Sequence, residues 1–208
     1  MFKIWPWLEA NRKGLIVAVV AVGVFIGGVS FWSSHQEQRE RQAGEALTRT
    51  LSNPPVSPET LMGFASSETG TQAGDRAQLQ AGLGYFENKD YANAQRVLET
   101  FAQAHANTAL ANQAIFGVGA CLEAQGKLDL AAEAYGRVAA SPVNDGSAVM
   151  ANFALGRVAQ QQGKLKEASD DFQKVLRNVN QQLSIYNDAV RHLQAIQQQQ
   201  GLAAPLAK

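Results

Sequence analysis

The sequence has little cysteine and no excess of charge. Cys121 is the only cysteine among 208 residues, and three histidines accompany it, which excludes a disulfide framework and a metal site built from several cysteines. The 18 Lys and Arg balance the 18 Asp and Glu, and no basic cluster follows residue 75, so we expect no nucleic-acid partner. Because no GxSxG, P-loop, GxGxxG or HExxH motif occurs, we expect neither a cofactor, a bound metal nor an enzyme.

Tryptophan is absent after residue 32, and the three that occur surround one uncharged segment. Trp5 and Trp7 precede this segment, which runs over residues 14–32 and would reach about 28 Å as a helix, close to the thickness of a bilayer core. It is longer than the apolar part of a signal peptide and has no small-x-small cleavage site. The pattern therefore predicts a transmembrane helix over residues 14–34.

The charges around this segment predict its orientation. Lys3, Arg12 and Lys13 outnumber Glu9 on the amino-terminal side, which favours a cytoplasmic N-terminus and a C-terminal domain outside the cytoplasmic membrane. Within the segment, Gly23 and Gly27 form a GxxxG motif that allows close contact with another membrane helix, including a second copy of this chain. Glycine is also frequent in membrane helices for other reasons, and both interpretations stay open.

The residues after the segment are polar and favour a helix as far as residue 52, where Asn53 and Pro54 end it. Residues 66–74 consist mostly of Ser, Thr, Gly, Ala and Gln and predict a loop or flexible hinge. We therefore expect five parts: a cytoplasmic N-terminus (1–13), a transmembrane helix (14–34), a helical stem with a flexible linker (35–74), a folded domain (75–200) and a tail (201–208).

The folded domain contains an internal repeat. Gly82, Gly119 and Gly156 are separated by 37 residues each, and similar residue types recur at fixed offsets from them. Alanine lies twelve residues after each glycine and five before it, and a large apolar residue lies sixteen and nineteen after it: Ala94, Ala131 and Ala168; Ala77, Ala114 and Ala151; Leu98, Tyr135 and Phe172; Phe101, Val138 and Val175. The pattern predicts three helical hairpins whose small residues let the paired helices approach closely.

These residues resemble the tetratricopeptide repeat family. The family's first-helix pattern of a large residue, Gly and a later aromatic matches Gly82 with Tyr85 and, less fully, the two later copies, while its second-helix alanine matches Ala94, Ala131 and Ala168. The spacing of 37 differs from the family's usual 34. Residues 183–199 have apolar positions at helical spacing and predict a capping helix. The expected fold is all-α: a transmembrane helix, then a tetratricopeptide-like α-solenoid of three hairpins with a C-terminal cap.

The resemblance implies that first-helix positions line a concave groove. By residue, the predicted groove positions are Leu79, Leu83, Phe86, Phe116, Ala120, Glu123, Phe153, Arg157 and Gln160. A mostly apolar groove flanked by isolated charges suits an unfolded segment or an amphipathic helix of a partner protein, with Phe116 and Phe153 as anchors. The alternative is that these phenylalanines belong to the core and pack against the capping helix or the segment near Leu61 to Phe64.

The membrane segment carries a second resemblance. Its end, residues 31–36, reads Phe-Trp-Ser-Ser-His-Gln and is similar to the anchor of the bacterial single-span ancillary subunits of the Sec translocon. This resemblance implies a periplasmic adaptor in the inner membrane, whose partners are translocon subunits and periplasmic chaperones. A structural scaffold of an envelope complex for division, secretion or outer-membrane assembly is the alternative. Both hypotheses predict protein partners, and lipid contact through residues 14–34.

Overall fold

The computed structural model describes residues 12–106, 108–141, 143, 146–179 and 183–203, and these residues form α-helices joined by short connections. Within α1 it describes the side chains of Val22, Gly23, Phe25 and Ile26 and those from Trp32 onward. The helices are α1 (Arg12–Leu51), α2 (Pro58–Ser67), α3 (Gln72–Glu87), α4 (Tyr91–Ala104), α5 (Ala109–Ala124), α6 (Leu128–Ala139), α7 (Ser147–Gln161), α8 (Leu165–Asn178) and α9 (Ser184–Ala203). The all-α prediction is confirmed.

Three pairs of helices form the hairpins that the 37-residue spacing predicts: α3 with α4, α5 with α6, and α7 with α8. Each connection contains one residue in the left-handed conformation. Gly126 and Gly163 have φ of 75° and 74°, and Lys89 adopts φ of 62° at the matching position of the first hairpin. Glycine takes this conformation without a steric penalty, so the three chemically different turns share one backbone geometry.

Close packing within each hairpin depends on the repeated glycine. A Cβ atom added to Gly82, Gly119 or Gly156 would lie 2.6, 2.6 and 2.8 Å from side-chain atoms of Leu98, Tyr135 and Phe172. These are the large residues sixteen positions further on, so each fills the space above the glycine of its own hairpin. Leu98 also meets Gly117 of the next hairpin, where an added Cβ would lie 2.7 Å away. The repeated large residues thus pack within hairpins, and Leu98 also packs between them.

An additional unit precedes the first hairpin and changes the expected role of residues 35–74. Ala43 and Leu47 of α1 and Leu61 of α2 are buried against Ala73, Ala77 and Ala81 of α3. The expected flexible loop at residues 66–74 is instead the end of α2, a tight turn and the start of α3, in which Thr71 accepts a hydrogen bond from the Gly74 N–H. The packed domain therefore begins within α1 and not near Asp75.

The C-terminal part of α1 fixes this unit to the domain. Glu40 accepts a hydrogen bond at 3.0 Å from the backbone N–H of Gln72, the first residue of α3. That N–H is one of the groups at a helix start that have no partner inside the helix, so the carboxylate completes the first turn of α3. The last three turns of α1 are thus bound to the start of the solenoid.

Among the residues that the structure describes, none of the helices has the length and apolar character needed to cross a membrane. The transmembrane helix expected over residues 14–34 falls on α1, and most of its side chains, with the surroundings of Gly27, lie outside the described residues. Gly23 is exposed, with nothing within 4 Å of an added Cβ.

Helix α9 covers the end of the solenoid, as the capping-helix prediction requires. Its Ala189 and Ile196 are buried with Ala159, Phe172 and Val175 of the last hairpin. His192 stacks on the ring of Phe172 with centroids 4.7 Å apart and an interplanar angle of 13°. This contact closes the core on the side where a fourth hairpin would otherwise continue.

Candidate functional site

The helices α3, α5 and α7 border a groove of about 560 Å³ on the concave side of the solenoid. Its lining consists mostly of aromatic and small apolar side chains with one ion pair. The lining residues are Phe86, Phe116, Ala120, Glu123, Ala124, Tyr135, Met150, Phe153, Ala154, Arg157 and Gln161. The groove is therefore an apolar surface with few polar groups, the composition typical of sites that bind apolar ligand groups.

The phenylalanines of the groove are held from behind by rings of the second helices. Phe116 lies 5.1 Å from the Tyr135 ring between centroids, and Phe153 lies 5.5 Å from Phe172 in an edge-on arrangement. Both phenylalanines are half-buried, so one side of each ring packs on the core and the other side faces the groove. Both phenylalanines line the groove, and Phe153 also contacts the capping helix, since its ring centroid lies 5.6 Å from that of His192.

An ion pair joins α5 to α7 inside the groove. Both carboxylate oxygens of Glu123 accept hydrogen bonds from Arg157 Nη2, at 2.8 and 2.7 Å, and Tyr135 Oη donates to Glu123 at 2.9 Å. The Glu123 side chain is 14% exposed and that of Arg157 is 41% exposed. Burial, together with the carboxylate of Glu123, raises the pKa of Tyr135 far above its usual range, so its hydroxyl remains a donor to this pair.

This pairing corrects the expectation that the two charges are isolated. Glu123 is already occupied by three neighbouring donors, including Gln161 at 3.4 Å. Arg157 keeps one buried polar atom, Nε, for which the described residues offer no hydrogen-bond partner. The pair thus holds two repeats in register, and a free-charge clamp for a partner terminus is not what these residues form.

The predicted groove residues divide into two groups. Phe86, Phe116, Ala120, Glu123, Phe153 and Arg157 come together in the groove. Leu79 is 5% exposed in the main core, Leu83 is half-buried and not part of the lining, and Gln160 accepts or donates a 2.7 Å hydrogen bond with His192 of α9. Leu79 therefore belongs to the core, and Gln160 binds the capping helix.

Sequence reasoning missed Tyr135 and Met150 as groove residues. Tyr135 lies on a second helix, and its place sixteen residues after Gly119 was interpreted only as packing. Met150 is 50% exposed and lies three residues before Phe153, which puts the two side chains on one face of α7. That spacing is the signal in the sequence that could have included Met150.

The groove continues into a second hollow of about 460 Å³ at the starts of α5 and α7. The two hollows share Phe116 and Met150, and Leu110 adds an exposed apolar side chain to the second one. The apolar surface therefore extends from the middle of the concave face to the point where α5 and α7 begin.

Neither metal nor thiol chemistry is supported by the residues that the structure describes. No group of three or more His, Cys, Asp and Glu side chains within the described ranges could hold a metal ion. Cys121 is fully buried, and burial raises the pKa of its thiol to about 11, which keeps the sulfur in its unreactive protonated form.

Comparison with protein families identifies the repeat. A family described as "Tetratricopeptide repeat-like domain" matches residues 6–195. The chain belongs to this family. The match covers the solenoid of this tetratricopeptide repeat-like protein and also includes α1. No curated protein sequence matches the chain.

Solved structures support the same fold. This tetratricopeptide repeat-like protein is similar to the Yersinia enterocolitica type III secretion translocator chaperone SycD, with a TM-score of 0.54 at 18% identity over 66% of this chain and 93% of that one. It is also similar to SycD in complex with a peptide of the translocator YopD, with a TM-score of 0.52 at 20% identity over 60% of this chain and 93% of that one. At these identities the likeness shows the fold alone.

Proposed function

We propose that this protein is a membrane-anchored adaptor that binds an apolar segment of another protein in its concave groove. The observation that carries the proposal is the set of half-buried phenylalanines, Phe86, Phe116 and Phe153, which lines the groove together with the exposed Met150. Aromatic rings that are fixed from behind lose little conformational freedom on binding, and this favours them as anchors for a partner.

The chemistry of the groove selects a protein segment with apolar side chains. The Glu123–Arg157 pair is neutral overall, and Glu123 already accepts hydrogen bonds from several neighbouring side chains, so the pair offers little to a strongly charged ligand. The solved complex of the similar chaperone SycD contains a peptide of the translocator YopD, and we extend this mode of binding to the groove described above. The protein we propose is a binding protein and not an enzyme.

The proposed anchor rests on the uncharged segment over residues 14–32. The family match begins at residue 6, before this segment, and Phe25, Ile26 and Trp32 are 72%, 58% and 66% exposed on α1. The described part of the chain does not bury these large apolar side chains, and lipid around α1 would bury them. We place the N-terminus in the cytoplasm and the solenoid in the periplasm of a bacterial inner membrane, according to the charge asymmetry.

The partners that we propose are the Sec translocon and the periplasmic chaperones. This part rests on the resemblance of residues 31–36 to the ancillary translocon subunits. A scaffold role in another envelope complex is the second hypothesis, and Gly23, exposed on α1, would serve it as a helix contact.

Photo-crosslinking in cells tests the groove and the partners together. A photoreactive phenylalanine analogue would replace Met150, which is 50% exposed in the groove. In a matched variant it would replace Leu130 of α6, which is 51% exposed and is not among the residues that line the groove. We expect covalent products from position 150 that contain translocon subunits or periplasmic chaperones, and few from position 130.

The same experiment separates the hypotheses. Products from position 150 that contain one fixed envelope complex would support the scaffold role. Equal products from both positions would contradict a binding groove. We prefer Met150 to Phe153 for this test, because the Phe153 ring also contacts His192 of the capping helix, with the two ring centroids 5.6 Å apart. A change at Phe153 would therefore affect stability as well as binding.

A further inference from the structure

The helices α3, α5, α7 and α9 begin at one edge of the solenoid, which we call the N-terminal edge, and α1 passes this edge at Glu40. Glu40 of α1 binds the first residue of α3, and Asn112 near the start of α5 donates a 3.2 Å hydrogen bond to Ser147 at the start of α7. From α3 to α9, successive helices pack against each other and are joined by short connections, so their directions alternate and every second helix points the same way. The helices α1, α3, α5, α7 and α9 therefore run in the same direction, away from the N-terminal end of α1.

The N-terminal edge lies close to the expected end of the membrane segment. Ser34 ends that segment, and Glu40, which binds the start of α3, follows six residues later on the same unbroken helix. Six helical residues rise about 9 Å, and the headgroup layer on one side of a bilayer is about 5 to 8 Å thick. An α1 that stands upright in the membrane brings the start of α3 to the outer limit of the headgroups.

Exposed apolar side chains are present at this edge. Leu110 in the first turn of α5 is 38% exposed, and Leu183, directly before α9, is 51% exposed. The hollow of about 460 Å³ between the starts of α5 and α7 opens beside Leu110. The first turns of α5, α7 and α9 contain no acidic residue. The carboxylates at the start of α3 have partners within the chain, because Asp75 lies 3.3 Å from His105 Nε2 and Glu40 accepts a hydrogen bond from the Gln72 N–H.

We propose that the solenoid rests with its N-terminal edge against the headgroup layer of the membrane, with Leu110 and Leu183 in contact with lipid. The apolar groove then opens directly at the membrane surface through the hollow at Leu110. This inference rests on the proposed anchor, because an edge at the bilayer requires α1 to be inserted in it. Its consequence is that the groove receives segments that are leaving or entering the bilayer.

Site-specific fluorescence quenching tests the proposal on the full-length protein. A small thiol-reactive fluorophore would be attached to Leu110→Cys or Leu183→Cys, in vesicles of phosphatidylethanolamine and phosphatidylglycerol that contain a lipid with a spin-labelled headgroup. Two leucines of matched exposure at the opposite edge provide the controls: Leu51→Cys, at 40%, for Leu110, and Leu130→Cys, at 51%, for Leu183. The native Cys121 is fully buried and will not compete for the label.

We expect the spin-labelled lipid to quench the fluorophore at positions 110 and 183 at least twofold more than at positions 51 and 130. Equal quenching at both edges, in protein that floats with the vesicles in a density gradient, would overturn the proposal and leave the anchor intact. Protein that does not float with the vesicles would overturn the anchor and this inference together. Because neither readout involves a client protein, a failure of the groove proposal would not affect them.

Discussion

Tyr135 packs on the backbone of Gly119, and its hydroxyl donates to Glu123, which also binds Arg157 of the next hairpin. One side chain therefore connects the close approach of α5 and α6 to the ion pair that joins α5 and α7. The ring is 1% exposed and cannot move outward without breaking that hydrogen bond. The position of Tyr135, which lines the groove, therefore requires that residue 119 has no Cβ atom.

We expect Gly119→Ala to lower the free energy of unfolding by about 1 to 3 kcal/mol, because the added Cβ would lie 2.6 Å from the fixed Tyr135 ring. Gly136→Ala in α6 is the matched control, since nothing lies within 4 Å of its added Cβ. That control should be neutral or stabilising by up to about 1 kcal/mol, because alanine favours a helix. Urea denaturation of both variants checks the prediction, and equal effects would contradict it.

His192 makes the stability of the cap depend on pH. Burial, and then the guanidinium of Arg157, lower the pKa of His192, while Asp188 opposes this and Arg191 adds to it. The unfolded chain then takes up a proton at the usual histidine pKa of about 6.5, above the pKa of the folded state. The contribution of His192 is therefore present above about pH 6.5 and is lost as the pH falls through the lowered pKa.

Thermal unfolding between pH 7.5 and pH 5 should show this loss in the native protein. His192→Phe, which keeps a ring on Phe172, should reduce the dependence on pH. An unaltered pH dependence in His192→Phe would show that other groups are responsible.

At the scale of helices, the first unit shows what the repeat pattern could not reveal. Leu61 and Phe64 of α2 lie 37 residues before Leu98 and Phe101, so the large apolar positions of a fourth, degenerate copy were present in the sequence. This copy lacks the repeated small residues of the first helix: Glu45 replaces the glycine, and Glu40 replaces the alanine five residues before it. The helices of this unit therefore do not pack as a tight hairpin, and a search for glycine and alanine offsets passes over them.

We expect Leu61→Ala to destabilise the whole protein by about 2 to 5 kcal/mol, because Leu61 is 6% exposed in the core shared by α1, α2 and α3. Leu130→Ala, at a position that is 51% exposed, should change stability by less than about 0.5 kcal/mol. Calorimetry should show one transition that shifts as a unit. A variant that melts like the native protein would mean that α2 is not part of the folded domain.

The hairpins and most of the groove could be predicted from the sequence because both follow from spacing along single helices. Phe116 and Phe153 lie three residues before the repeated glycine, so one rule places both. The contacts between helices could not be predicted in the same way. Glu123 and Arg157 are 34 residues apart and not 37, and they meet because neighbouring repeats are offset along their axes. Such offsets depend on the packing of all the intervening side chains.

At the scale of the whole molecule, the cores join into one body that extends from α1 to α9. The cluster around Ala43 and Leu47 shares Met62 with the main core, and the main core contacts the last hairpin through Ala154 and Val158. Because the three helices that border the groove all pack on this continuous core, we expect the groove to keep its shape. This rigidity favours binding by preformed complementarity over a large rearrangement of the domain.

The unbroken helix α1 also determines the direction in which the groove faces. Each residue of an α-helix turns the chain by about 100°, so Trp32 and Ala43, eleven residues apart, lie within about 20° of the same side. The side of α1 that carries the solenoid is thus the side that carries Trp32. One residue inserted between Ser34 and Glu40 would rotate the solenoid by about a quarter turn around the axis of the helix while raising it by only about 1.5 Å. For the proposed anchor, this means that α1 sets the rotation of the solenoid as well as its height, so that the groove would face one fixed direction in the plane of the membrane.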